Sequence, residues 1–156
     1  KPWVTAKTLI QAMQYSDAAL VAPGDAQAQQ WSKQVIGTAY TKKELLTLAK
    51  DKFDRATQFP LGRTEAREQL AQKLITILGN QAVSNEDKNV WVKFTLEQLS
   101  DELKRDPKNP RTYQLVGSLL LQLGQTKEAI NYLDLAQALS PKKQLIMFVK
   151  ANWFQK

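Results

Sequence analysis

The stretch from Asp106 to Lys143 constrains the fold most, because large and small residues occur in it at fixed helical positions. The spacing predicts one helix over 110–123 and a second over 126–139. Gly117 and Ala136 are expected where the two helices cross closely, and a larger side chain there would cause strain of about 1–3 kcal/mol. The fixed positions are Tyr113, Val116, Gly117, Leu120, Gly124, Ala129, Leu133, Ala136 and Pro141.

These positions resemble the tetratricopeptide repeat, a helix-turn-helix unit of about 34 residues. The best-matching unit covers 110–143, and Pro107 and Pro141 lie one such period apart, as do Leu99 and Leu133. The resemblance implies a scaffold without catalytic activity that binds proteins or peptides. The chaperone-binding members of that family hold a carboxylate with Lys and Asn, whereas this chain has Gln114 and Ser118 at the matching positions.

Apolar residues at helical spacing predict six further helices outside this unit. They are expected over about 3–20, 26–40, 42–58, 64–78, 86–105 and 141–154. Thr41 and Glu44 have the spacing of a capping box, which predicts the start of the third helix. No segment has a convincing strand pattern, so the sequence predicts an all-α fold of about eight helices, arranged as a right-handed α-superhelix of helix-turn-helix repeats.

Counting back by the repeat period places all units in a single domain over residues 1–156. One unit with an insertion covers 64–109, and a degenerate unit with Gly37 at the small position covers about 30–61. Residues 144–156 are expected to form a terminal capping helix. Because the chain begins without Met and ends inside an apolar pattern, we expect a fragment of a longer protein.

Stacked repeats leave a concave face lined mainly by the first helix of each unit. The register therefore predicts a groove for a protein or peptide partner. Its residues are Trp31, Gln34, Thr38, Glu68, Gln72, Arg111, Gln114, Ser118 and Gln122.

The chain contains neither Cys nor His, which excludes thiol chemistry, imidazole catalysis and metal sites built from those residues. We expect no catalytic residue, no metal ion and no cofactor. Carboxylate pairs such as Glu65 with Glu68 are interpreted as solvated helix faces. The net charge of +7 keeps nucleic acid as an alternative partner, although basic and acidic residues are interspersed. Four basic residues near the C-terminus leave anionic lipid or glycan as a further alternative: Lys142, Lys143, Lys150 and Lys156.

A broader pattern covers most of the chain. An apolar N-terminal helix, the segments 53–56 and 61–70, a long helix and the final repeat are similar to the soluble tail of bacterial O-antigen ligase/polymerase-type membrane proteins. The resemblance implies an accessory domain on the extracytoplasmic side of a bacterial membrane. Catalysis would then belong to a membrane domain of the same chain, and that membrane domain would be a further partner. The alternatives are a free-standing cytoplasmic tetratricopeptide adaptor and a nucleic-acid-binding helical repeat. The oligomeric state is left open.

Overall fold

The computed structural model describes the backbone of residues 2–140 and the side chains of residues 6–140. Seven helices and no strand are present in this part of the chain, which confirms the all-α prediction. The helices are α1 (Pro2–Val21), α2 (Asp25–Val35), α3 (Lys42–Thr57), α4 (Arg63–Leu78), α5 (Asn85–Arg105), α6 (Pro110–Gln122) and α7 (Thr126–Leu139). The expected eighth helix and the capping helix over 144–156 lie outside the described residues.

The chain divides into two compact units, Lys1–Lys93 and Phe94–Lys156, and the boundary falls within α5. The single repeat domain predicted over 1–156 stays a prediction, as do the bounds of its units. None of the helices described here is long and apolar enough to cross a membrane.

In the first unit α1 packs mainly against α3, and α4 packs against both of them. Small residues make the close approach of α1 and α3 possible, since Ala12 and Ala49 have no exposed surface. Phe53 is fully buried beside them, and its ring lies edge-on to that of Trp91, with centroids 6.0 Å apart. Leu70 and Leu74 of α4 complete this core.

The capping box predicted at the start of α3 is confirmed. The Glu44 backbone amide donates to Thr41 Oγ1 over 3.2 Å, and the Thr41 amide donates to Glu44 Oε1 over 3.1 Å. These two bonds satisfy amide groups that would otherwise lack partners at a helix N-terminus. The sequence pattern therefore determines where α3 begins.

The second helix is shorter than predicted, because it ends at Val35 and not at residue 40. Gly37 has φ +96°, a left-handed conformation that commonly terminates helices, and its amide donates to the Ser32 carbonyl over 3.1 Å. The Tyr40 amide then donates to Ser32 Oγ over 2.7 Å, which holds the chain in its turn. Gly37, which the predicted unit places at its small position within a helix, therefore lies outside α2, and the degenerate unit over 30–61 stays a prediction.

In the second unit α6 and α7 pack against each other as a helical hairpin. A Cβ atom at Gly117 would lie 2.8 Å from Cγ and Cδ2 of Leu133, so only glycine allows this approach without displacement. The Asn109 side chain accepts from the Arg111 amide over 3.0 Å, which makes Asn109 the N-cap of α6. The fixed positions buried in this hairpin are Val116, Gly117, Leu120, Ala129, Leu133 and Ala136.

Tyr113 differs from the other large residues at fixed positions of α6 and α7, because it is only half-buried. Its hydroxyl donates to the Pro107 carbonyl over 2.8 Å, and its ring lies 6.4 Å from that of Tyr132. The side chain therefore connects the turn before α6 to the surface of α7.

Candidate functional site

Four of the predicted groove residues lie together on one face of α6. Arg111 and Gln122 are exposed, whereas Gln114 and Ser118 are half-buried. Their spacing of three and four residues places them on the same side of the helix, one turn apart. The opposite side of α6 holds buried residues, including Val116, and faces the hairpin core. We call Arg111, Gln114, Ser118 and Gln122 the α6 stripe.

A second set lies in the first unit, around Trp31. The half-buried Trp31 ring lies edge-on to Tyr15, with centroids 6.3 Å apart and planes at 75°. It lines a groove of about 650 Å³ between α1 and α2. Gln34 is exposed one turn further along α2, and Thr38 lies beyond the end of that helix. The groove is lined by Gln14, Asp17, Ala18, Val21, Ala22, Gln27, Trp31 and Val35.

The α1–α2 groove carries one charged lining residue, Asp17. Its carboxylate pairs with the ammonium group of Lys73 on α4, whose side chain is 9% exposed. The pair largely neutralises the groove, so its lining is apolar with amide groups from Gln14 and Gln27.

The geometry of the α6–α7 hairpin, with glycine at the helix contact and a polar stripe on the first helix, is that of a repeat unit. Residues 110–143 match the tetratricopeptide repeat family. The match covers less than half of the chain and coincides with the best-matching unit predicted above. Tetratricopeptide repeats generally mediate protein–protein interactions and typically have no catalytic activity. A search of the curated proteins and a search of the solved structures found no match for the chain.

The last two predicted groove residues are on α4. Glu68 is half-buried and Gln72 is exposed one turn further along. The predicted residues thus lie in three groups, at α2, on α4 and on α6, and only the α6 stripe belongs to the matched repeat. The use of all nine as a single groove stays a prediction.

Sequence reasoning missed a polar cavity of about 330 Å³ in the first unit. Two of its carboxylates have partners within the cavity wall. The Lys42 amide donates to Asp25 Oδ1 over 3.1 Å, and Lys43 Nζ lies 3.9 Å from Asp87 Oδ1. The sequence feature that could have indicated this cavity is the presence of acidic residues in the first turn of a helix. Across residues 6–140, no group of three or more acidic side chains has a geometry that could hold a metal ion.

A smaller cavity in the second unit, of about 270 Å³, was also missed. Residues from α5, α6 and α7 surround it, with leucines inside and polar groups of Ser100 and Glu128 among its walls. The sequence places these residues on three separate helices, so no local pattern indicates the cavity. Its lining is Leu96, Ser100, Leu103, Val116, Leu120, Glu128 and Tyr132.

Proposed function

We propose that the chain is a non-catalytic scaffold that binds a protein or peptide partner on the α6 stripe. The observation that carries the proposal is the tetratricopeptide match over 110–143. It coincides with a hairpin whose close contact at Gly117 supports the same register. In that register the first helix of the unit, α6, presents its outward face to a partner.

The chemistry of the α6 stripe suits an extended peptide. Residues one turn apart on a helix are about 5–6 Å apart, near the roughly 6.5–7 Å between alternate residues of an extended chain. The amide groups of Gln114 and Gln122 can each donate to and accept from a peptide backbone. The Arg111 guanidinium lies at the N-terminal end of α6, where both its charge and the helix dipole favour an acidic group.

Selection of random peptides on residues 1–156 tests this proposal. We expect enriched peptides to be acidic at one end and to shift the backbone amide resonances of α6. Ser118→Arg inserts a long side chain into the α6 stripe and should weaken binding at least 10-fold. Asn131→Arg is the matched control, because Asn131 is exposed on α7, and it should leave the affinity unchanged. Resonance changes confined to α7 would contradict the site assignment.

We further propose that the scaffold belongs to a bacterial envelope-polysaccharide protein of the O-antigen ligase/polymerase type, on the extracytoplasmic side of the membrane. The similarity of segments 53–56 and 61–70 to the soluble tails of such proteins supports this proposal. The gene sequence directly upstream of Lys1 tests it, since several apolar spans are expected there. Their absence would favour the free-standing cytoplasmic adaptor.

The nucleic-acid alternative rests on the net charge of +7. It predicts binding to DNA or RNA at low salt that weakens steeply as salt is added, because phosphate contacts release counterions. A gel-shift titration with a single-stranded and a double-stranded oligonucleotide separates the two functions. The scaffold proposal predicts that neither oligonucleotide binds at about 50 mM salt.

A further inference from the structure

The outward face of α1 carries exposed apolar side chains at both ends of a regular stripe. Ile10 is 57% exposed and Val21 is 81% exposed. Gln14 and Asp17 lie between them and are also exposed. The spacing of four, three and four residues is that of the contact seam of a coiled coil, in which each position faces a neighbouring helix. We call Ile10, Gln14, Asp17 and Val21 the α1 stripe.

We propose that the α1 stripe pairs with the α1 stripe of a second copy of this chain, with the two helices antiparallel. The stripe is symmetric about the midpoint between residues 15 and 16. A twofold axis at that point places Ile10 opposite Val21 of the second copy, and Gln14 opposite Asp17 of the second copy. Every contact then occurs twice, as an isologous interface requires.

The polar pair at the centre determines the orientation. In the antiparallel arrangement the Gln14 amide donates to the Asp17 carboxylate of the other copy. A parallel arrangement would place the two Asp17 carboxylates opposite each other, which is unfavourable for like charges. A polar residue in an apolar seam commonly specifies register in this way. The Lys73 ammonium pairs with Asp17 from the side of α4 and reduces the repulsion that remains between the two copies.

The second helix extends the same surface. Val35 is 55% exposed, and with the half-buried Trp31 it forms the α2 wall of the 650 Å³ groove. A helix placed against α1 in this groove contacts both walls, and by symmetry each copy supplies the helix that enters the groove of the other. A standard interface uses about 20–30 residues on each side, whereas the α1 stripe and the groove lining together comprise nine residues. We therefore expect a dissociation constant on the order of 10 µM.

This inference does not depend on peptide binding by the α6 stripe. It uses residues of the first unit only, outside the 110–143 match. If an experiment contradicts one of the two proposals, the other is unaffected.

Disulfide cross-linking tests the register, and the absence of native cysteine gives it a clean background. Ile10→Cys and Val21→Cys chains are prepared separately and then mixed under mild oxidation. The antiparallel register predicts a covalent dimer in the mixture. Each variant alone should form little covalent dimer. The same position in the two copies would be about 16 Å apart along the helices, beyond the reach of a disulfide. Equal cross-linking of the single variants and the mixture would overturn the register.

Sedimentation equilibrium tests the dimer itself. The wild-type chain should change from monomer to dimer between about 1 and 200 µM, around the expected dissociation constant. Val21→Glu places a carboxylate in the apolar end of each seam and should weaken the dimer at least 10-fold. Leu61→Glu makes the same change at a residue that is 63% exposed outside the α1–α2 face, and it should have no effect.

Both substitutions are at exposed sites, and circular dichroism verifies that each variant is folded. A wild-type chain that stays monomeric up to about 500 µM, well above the expected dissociation constant, would overturn the proposal and leave the groove to a different partner. Equal weakening by Val21→Glu and Leu61→Glu would place the dimer contact elsewhere.

Discussion

Gly117 gives the sharpest test of the α6–α7 packing. In Gly117→Ala the new Cβ would lie 2.8 Å from two carbons of Leu133 and 3.2 Å from the Ala129 carbonyl oxygen. Carbon atoms pack favourably at about 3.5–4.0 Å, so one helix or the Leu133 side chain has to move. Leu133 is 1% exposed and has little room to do so. Overpacking of this kind costs about 1–3 kcal/mol, against a gain of about 1 kcal/mol from the better helix propensity of alanine.

We therefore expect Gly117→Ala to lower the free energy of unfolding by about 1 kcal/mol, and Gly117→Leu by about 3 kcal/mol or more. Urea unfolding followed by circular dichroism measures both. Gly79→Ala is the matched control, because its new Cβ would have no neighbour closer than 3.7 Å. That substitution should change stability by less than about 0.5 kcal/mol.

A double-mutant cycle separates steric overlap from any other effect at this site. Leu133→Ala alone should cost about 2–5 kcal/mol, since it leaves a cavity in the hairpin. When Leu133→Ala and Gly117→Ala are combined, the loss of stability should be about 1 kcal/mol smaller than the sum of the two single losses, because the overlapping atoms are gone. Strict additivity, or equal stability of Gly117→Leu and Gly79→Ala, would refute the packing argument.

Three further predictions concern other contacts, each measured by urea or thermal unfolding. Thr41→Ala removes the capping box of α3 and should cost about 1 kcal/mol, whereas a change below about 0.2 kcal/mol would mean that the cap is dispensable. Ala136→Phe forces a ring into a fully buried position and should cost at least about 3 kcal/mol, while Gln122→Ala on the exposed side of α6 should stay within about 0.5 kcal/mol. Asp17→Ala leaves the buried Lys73 ammonium unpaired and should lower stability by about 1–3 kcal/mol. Lys73→Met keeps the aliphatic volume of the side chain and should lower stability less. The reverse order of the two variants would contradict the argument that the unpaired buried cation is the cause.

The sequence predicts α6 and α7 closely because local chemistry sets their ends. Asn109 caps α6 through its own side chain, and Gly124 adopts φ +80° in the turn that follows. The end of α2 was predicted too late, although Gly37 is a local stop signal of the same kind as Gly124. Ile36 and Tyr40 continue a helical period, but the bond from the Tyr40 amide to Ser32 Oγ joins residues across a turn and outweighs that pattern.

The choice of helix partners also lies beyond periodicity. The helices α1, α3 and α4 all bury apolar residues, and the pairing of α1 with α3 follows from how their small and large residues fit. The four residues of the α6 stripe could be placed together from their spacing on one helix. The α1–α2 groove and the two cavities missed by the sequence combine residues from different helices, so their shapes exist only in the folded chain.

The burial of Lys73 makes this side chain a built-in reporter of local opening. Its ammonium is ion-paired, and its side chain is 9% exposed, whereas the side chain of Lys43 is 67% exposed. An amine-reactive label should therefore modify Lys43 at a rate limited by the reagent. Lys73 should react only when α4 separates from α1, at a rate limited by that separation. The ratio of the two labelling rates, measured by mass spectrometry, therefore reports how often the first unit opens in the wild-type protein.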